Sequence, residues 1–275
     1  MSLPPNEAKK NARVAAVQMV STPRVAENLK VAGELIAEAA AQGAELVALP
    51  EYFPIMGLRD ADKVAVREAY GSGPIQDFLA ETAQKHGIWL VGGSMPLVAR
   101  EDGKVLNTCL AHDPNGACVA RYDKIHLFGF QKGAERYNES ATIEPGSEPV
   151  AFDTPFGRVG LSICYDLRFP ELFRALGEVD LLVLPAAFTE MTGRAHWEIL
   201  LRARAIENQC YVLAIGQGGV HENRRETHGN SMLIDPWGDI VGRHPKGAGI
   251  VIGELDHARI AEIRTSLPAL AHRVL

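Results

Sequence analysis

Residues 159–173 read VGLSICYDLRFPELF. The stretch opens as an apolar, β-branched run and closes on Pro170 and Glu171, a proline suited to a first helical turn and a carboxylate suited to its positive end. It predicts a strand that stops at Cys164 and hands over to a helix. Such strand–helix units are what α/β folds are made of, and the first half of the chain repeats them. VAAVQMV precedes an amphipathic helix over 28–41; AELVALP precedes a helix near 75–86; WLVGGSM follows. Turn residues around Asp113-Pro114-Asn115-Gly116 and Asp153-Thr154-Pro155-Phe156-Gly157 predict two hairpins, so the sheets should be mixed.

The stretch also has an echo. VGLSICYD, a helix and DLLVLPA repeat the layout of VAAVQMV, a helix and ELVALPE, with Leu184-Pro185 matching Leu49-Pro50. This predicts two related half-sheets packed together with helices outside, a four-layer α-β-β-α sandwich. A plainer reading is that Leu-Pro is a common strand ending. Residues 192–209, TGRAHWEILLRARAIENQ, predict a helix in which Ile199, Ala203 and Ile206 recur at i, i+4 and i+7, and Glu198 and Arg202 can pair. A strand CYVLAIGQ, a hairpin about 235–239 and a helix near 257–265 complete the chain. No linker or low-complexity segment interrupts it, so one domain is expected over 1–275, behind a polar tail at 1–11.

Bulk properties narrow the function. The 275 residues are 47% hydrophobic, enough for a substantial core, and carry a net charge of -6 without a basic run. Nucleic acid is not an expected partner. The N-terminal residues MSLPPNEAKKN lack the apolar stretch of a signal peptide, and VAAVQMV is too short to span a bilayer. A cytoplasmic protein with no membrane association is expected. The four cysteines, at 109, 118, 164 and 210, show no metal-ligand spacing and no disulfide framework. Pairing about the Asp113–Gly116 turn would set Ala120 opposite Cys109 and Ala111 opposite Cys118, which leaves those two thiols unbridged.

Reactive groups in α/β folds gather beyond the carboxyl ends of strands. Three apolar runs end in residues suited to acyl chemistry: AELVALPE in Glu51, ACVARYDK in Lys124 and VGLSIC in Cys164. Taken singly, a glutamate or lysine there reads as a solvated charge and a strand cysteine as packing. Cys109, Cys118 and Cys210 keep the packing reading. Cys164 differs because the following helix start favours thiolate. Asp123, Asp166 and Arg168 read as a supporting ion-pair network, with substrate contact by Arg168 as the sharper alternative. A Cys-His hydrolase is the competitor, using His126, His196, His221 or His228, yet none lies in a local signature of that type.

The blocks ALPEYF, RYDKIHLF and SICYDLRFPELFRAL, in this order, resemble the signature blocks of the nitrilase superfamily of carbon-nitrogen hydrolases, and TGRAHWEILLRARAIENQCYVLA and HGNSMLIDPWGDIV extend the resemblance over nearly the whole chain. The resemblance implies the nitrilase-like sandwich and a Glu-Lys-Cys triad: Glu51 as general base, Lys124 as electrophilic stabiliser and Cys164 as nucleophile. It further implies a supporting Glu139, within NESATIEPG, an oxyanion contact from the Tyr165 N–H, and substrate contacts from Arg168, Thr189 and Arg194. No metal or organic cofactor is called for. CYDLRFPE, the long helical block and LPALAHR look most like the branch of deaminated-glutathione amidases, which implies an amidase acting through a cysteinyl thioester and releasing ammonia. The departure is Arg194, in TGRAHW, where family sequences tend to read TGPAHW. Alternatives are an ω-amidase acting on α-ketoglutaramate or α-ketosuccinamate, a nitrilase or N-carbamoyl hydrolase, and a non-catalytic ligand-binding member of the fold. A homo-oligomer, dimer or larger, is the family default.

Overall fold

A computed structural model describes residues 9–132 and 135–274. In chain order, β1 (Ala12–Gln18), α1 (Val25–Ala41), β2 (Leu46–Ala48), the single turn α2 (Asp62–Ala65), α3 (Pro74–His86) and β3 (Trp89–Val91) form the strand–helix repeat of the first half. β4 (Met95–Val98), β5 (Val105–His112) and β6 (Cys118–Asp123) follow as an antiparallel extension, then a separate hairpin of β7 (Gly129–Lys132) and β8 (Glu135–Asn138), and the short β9 (Ile143–Glu144). The second half runs β10 (Ala151–Thr154), β11 (Gly157–Leu161), α4 (Pro170–Ala175), β12 (Leu181–Ala186), α5 (Glu190–Asn208), β13 (Tyr211–Gly216), β14 (Ser231–Ile234), β15 (Ile240–His244), β16 (Gly249–Leu255) and α6 (His257–Ser266).

One sheet has the order β16-β1-β2-β3-β5-β4 with β6 and β9 also on β5; the other is β10-β11-β12-β13-β14-β15. Each has a parallel centre, β1-β2-β3 and β11-β12-β13, and antiparallel flanks, so both are mixed as expected. The layering follows from the alternation of β1. Ala15 and Val17 pack with Ala32 and Ile36 of α1 and Leu79 of α3, while Val14 and Ala16 join Val183 and Leu213 of the facing sheet. Trp197, Leu201 and Ala205 of α5 close the far side of the second sheet. Helix, sheet, sheet, helix is the predicted sandwich, and each fully buried Val, Leu or Ile contributes about 1.5–3 kcal/mol to it. The shared layout of the halves holds, but the Leu-Pro match does not: Leu49-Pro50 follows β2, whereas Pro185 lies inside β12 opposite Ile215.

Two readings are corrected. On α5 the Ile199–Ile206 stripe faces outward, at 71% and 47% exposure, and the buried face is Gly193, Trp197, Leu201, Arg204 and Ala205. Trp197 and Arg204 claim the inside because both ends of each are satisfied. The indole N–H donates to Asn230 O at 2.9 Å, and the guanidinium donates to Leu167 O and lies over the Phe173 ring. The β5–β6 register is also shifted. Asp113 Oδ1 accepts from the N–H groups of both Asn115 and Ala117, which widens the turn and sets Cys109 opposite Tyr122 and His112 opposite Cys118. All four cysteines remain free.

Gly93 shows how closely the site is fitted to the scaffold. Its φ is +55°, and a Cβ there would stand 2.1 Å from Pro50 O, in the turn that leads to Glu51. Gly93→Ala is expected to cost about 3 kcal/mol by strain and clash, read as a lower Tm, and to reduce activity more than the stability loss alone explains.

Candidate active site

Glu51, Lys124 and Cys164 come from three different strand ends, and the fold brings them together. Glu51 lies in the turn after β2, Lys124 immediately follows β6, and Cys164 begins a short 3₁₀ turn after β11. Lys124 has no exposed surface, and its Nζ donates to Glu51 Oε1 at 2.8 Å and to the two oxygens of Glu139 at 3.0 and 2.8 Å. Burial alone pushes the Lys124 ammonium down, but Glu139 and Glu51 together outweigh it and hold it well above the ordinary lysine value. Glu139 ionises for the complementary reason: burial opposes it, and Lys124, the Phe128 N–H and the Tyr52 hydroxyl prevail.

Glu51 is held from every side. Oε1 also accepts from Asn107 Nδ2 at 3.0 Å, and Oε2 accepts from the Ala187 N–H, at the end of β12 in the opposite sheet, at 2.9 Å. Its own carbonyl accepts from Gln217 Nε2. The carboxylate is thus aimed by side chains and backbone from both halves of the chain, which fixes its direction without using a loop's flexibility.

Cys164 is 8% exposed and adopts φ +51°, a left-handed conformation costing about 1–2 kcal/mol for a residue with a Cβ. Asp166 holds that shape. It accepts from the Ile163 N–H on Oδ2 at 2.8 Å, from the Tyr122 hydroxyl on Oδ2 at 2.7 Å, and from the His126 N–H on Oδ1, with His126 Nδ1 also at 2.7 Å. The nucleophile turn is therefore tied to the strand and loop that carry Lys124. Tyr52, just after Glu51, has the same conformation at φ +56°, and its N–H donates to Ser94 Oγ.

The thiol itself departs from expectation. Burial, followed by the nearby Glu51 carboxylate, pushes it well above the usual cysteine range, and Lys124 and the Ala187 N–H oppose this only in part. Two carboxylates face a single ammonium, so another negative charge is unfavourable. These surroundings favour the thiol over the thiolate, against the pull of the six-residue helix α4.

Two cavities meet here. A narrow inner chamber, with a free volume of about 10 Å³ or room for roughly one water, is lined by Cys164, Glu139, Phe128, Arg168, Thr189 and Arg225 among others. A broad outer groove adjoins it at Thr189 and Arg225 and extends past Tyr52, Lys63 and Tyr137. Thr189, which caps α5, and Arg168 are therefore where a substrate would reach them. Arg168 lies 5.7 Å from the Tyr165 ring and 5.3 Å from the Phe188 ring, and its guanidinium meets His196 Nδ1 at 3.2 Å. The expected network of Asp123, Asp166 and Arg168 does not form: Asp123 pairs with Arg121 and Thr108, and Asp166 serves the nucleophile turn. Arg194 lines neither cavity; its guanidinium holds Glu190 at 2.6 Å on the surface. Tyr165 follows Cys164 in the first turn of the 3₁₀ segment, where backbone N–H groups are without helical acceptors.

Among the described residues no histidine hydrogen-bonds to Cys164. His126 serves Asp166 and stacks on Phe169, His196 meets Arg168, His221 bonds Ser21 O and Thr227, and His228 meets Glu190. A Glu-Lys-Cys grouping is what remains. The chain matches the carbon-nitrogen hydrolase family over residues 13–265. The chain belongs to that family. A deaminated glutathione amidase from Synechocystis is 46% identical over 94% of this chain and 97% of its own length. The ω-amidase NIT2 of Xenopus tropicalis is 37% identical over 95% and 94%. The crystal structure of Saccharomyces cerevisiae Nit3, a member of branch 10 of the nitrilase superfamily, superposes with a TM-score of 0.85 at 31% identity, over 96% of this chain and 97% of that one. This carbon-nitrogen hydrolase is accordingly an enzyme acting on carbon–nitrogen bonds, with the nitrilase fold.

Sequence reading did not single out Tyr52, Asn107, Lys63 or Arg225 in this carbon-nitrogen hydrolase. Tyr52 stands inside the quoted ALPEYF block. The others carry no local signal, since each reaches the site from a strand, a one-turn helix or a loop. The raised thiol pKa gives a direct test. Alkylation of Cys164 by iodoacetamide, followed on its own peptide by mass spectrometry, should keep accelerating from about pH 6 to about pH 9. A plateau near neutrality would show a resting thiolate instead. Glu139→Gln removes a nearby negative charge, so it should shift this profile to lower pH while lowering turnover.

Proposed function

We propose that the chain is a thiol amidase that cleaves a small carboxylate-bearing amide, deaminated glutathione first among them, through a thioester on Cys164. The observation that carries this reading is the buried Lys124 ammonium held by Glu51 and Glu139 beside a chamber that Cys164 also lines. An amide resists attack because its nitrogen donates into the carbonyl. Cleavage therefore needs a nucleophile made at the moment of use, a stabilised oxyanion and a proton for the amine.

Glu51 takes the Cys164 proton as sulfur bonds to the carbonyl carbon, so a thiolate never has to persist in the resting site. The oxyanion is met by Lys124 Nζ and the Tyr165 N–H. Glu51 then delivers the proton to the amine nitrogen, the C–N bond breaks and the thioester remains. In the second half Glu51 takes a proton from water, the hydroxide oxygen bonds to the acyl carbon, and the sulfur leaves and is reprotonated. Glu139 keeps Lys124 charged and placed throughout. Arg168 and Thr189 face the acyl group in the inner chamber.

The amine released depends on the substrate. Deaminated glutathione joins its acyl group to the amine of cysteinylglycine, whereas α-ketoglutaramate, a primary amide, releases ammonia. The ω-amidase relative favours the latter as a second reading. The reading extends to one catalytic domain in the cytoplasm, supported by four free thiols. It extends also to a homo-oligomer, supported by the exposed Ile199, Ile206 and Trp237 on α5 and the adjoining β14–β15 turn.

The purified protein is expected to release cysteinylglycine from deaminated glutathione and ammonia from α-ketoglutaramate, with a simple nitrile turned over far more slowly. Cys164→Ala and Glu51→Gln should each lower kcat by about 10³-fold or more. Failure to cleave either amide, or full activity in the Cys164 variant, would overturn the proposal.

A further inference from the structure

The outer groove has a charge imbalance that the reaction steps leave unexplained. Nearby cations carry their own carboxylates: Arg59 holds Asp62 at 3.1 Å, and Arg194 and Lys246 each hold Glu190 at 2.6 Å. Lys63 does not. Among the described residues its one hydrogen-bond partner is the Thr142 hydroxyl at 3.4 Å, and its ammonium stands 5.2 Å from the centre of the Tyr52 ring. Burial pushes this ammonium down, and the positive charges of Arg225 and Lys124 add to that, against Glu139 and Asp60.

Arg225 is in the same condition. Its Nη2 donates to Ala187 O at 3.2 Å and its Cζ lies 5.1 Å from the Tyr137 ring centre, but its Nε is buried with no partner and, among the described residues, no carboxylate meets the guanidinium. Lys63 and Arg225 thus face the groove with no carboxylate in direct contact among the described residues, and Arg224 on its rim has none either. The influence of Glu139 and Asp60 on Lys63 is exerted without an ion pair, so these donors are open to an incoming anion. A carboxylate there would gain two charge-assisted contacts at a partly dry site.

The groove's position decides which carboxylate. The thioester leaves the acyl half in the inner chamber beside Arg168, while the amine half must depart by the outer groove. Lys63 lines the groove and not the chamber. We propose that Lys63, with Arg225 behind it, binds the free carboxylate of the amine half and so selects amides whose leaving group ends in an acid. The proposal rests on the amidase reading and adds a specificity-determining residue to it.

The test compares deaminated glutathione with the same compound carrying a carboxamide in place of its terminal glycine carboxylate. The wild-type enzyme should prefer the acid by about tenfold in kcat/KM, mainly through KM. Lys63→Met keeps the apolar stem and should lose that preference, while Lys63→Arg should retain most of it. No preference in the wild type, or the same preference in Lys63→Met, overturns the assignment. If the wild type cleaves neither compound, the substrate reading fails, and calorimetry with cysteinylglycine and its amide still decides the role of Lys63. Tighter binding of the acid that disappears in Lys63→Met supports it; equal binding by both proteins overturns it.

Discussion

A lysine ammonium with no access to water must be neutralised by its surroundings, and at Lys124 this requirement organises the site. Losing one partner of such a buried pair costs about 3–5 kcal/mol. The partners must therefore be delivered accurately, and both come from loops anchored on the first sheet. The second sheet contributes the sulfur, and near the site polar ties register it against the first. The Ala187 N–H reaches Glu51, and Asp166 accepts from Tyr122 and from the His126 backbone. Much of the rest of the sandwich interior is apolar and nonspecific in direction, with Gln18, Ser231, Ser21 and Gln217 forming a further buried polar link between the sheets. The bonds at Glu51 and Asp166 set where the sulfur stands relative to the lysine.

The strand ends, the sandwich and the three reactive residues are legible in the sequence because each leaves a short signal: an apolar run, a break and a reactive side chain. What is not legible arises where distant groups compete. The apolar period of α5 points to Ile199 and Ile206, yet Trp197 and Arg204 fill the inner face because their polar ends find acceptors only in the folded chain. The DPNG turn reads as symmetric until Asp113 captures two backbone N–H groups and shifts the register. The helix after Pro170 suggests a thiolate, but burial and the charges of Glu51, Lys124 and Glu139, brought from three separate segments, favour the thiol at Cys164. Arg194 is drawn away by a carboxylate four residues earlier on its own helix.

Backbone strain marks the same place as charge. Tyr52 and Cys164 both adopt positive φ, each next to or at a reactive residue, and each is secured by a backbone N–H donating to a side chain, Tyr52 N–H to Ser94 Oγ in one case and Ile163 N–H to Asp166 Oδ2 in the other. The scaffold thus spends stability at two points to turn side chains toward one volume, a local violation of the backbone rules obeyed elsewhere in these strands.

The serial arrangement of chamber and groove also imposes a timetable. On the proposed thioester route the departing amine and the arriving water both pass Arg225 and Thr189, the side chains that chamber and groove share. On that route an amine still seated there stands where the water must arrive, so the two half-reactions compete for the same space. Any other amine that lingers there becomes a rival acceptor, and the choice between hydrolysis and acyl exchange is then a matter of occupancy, decided outside the triad.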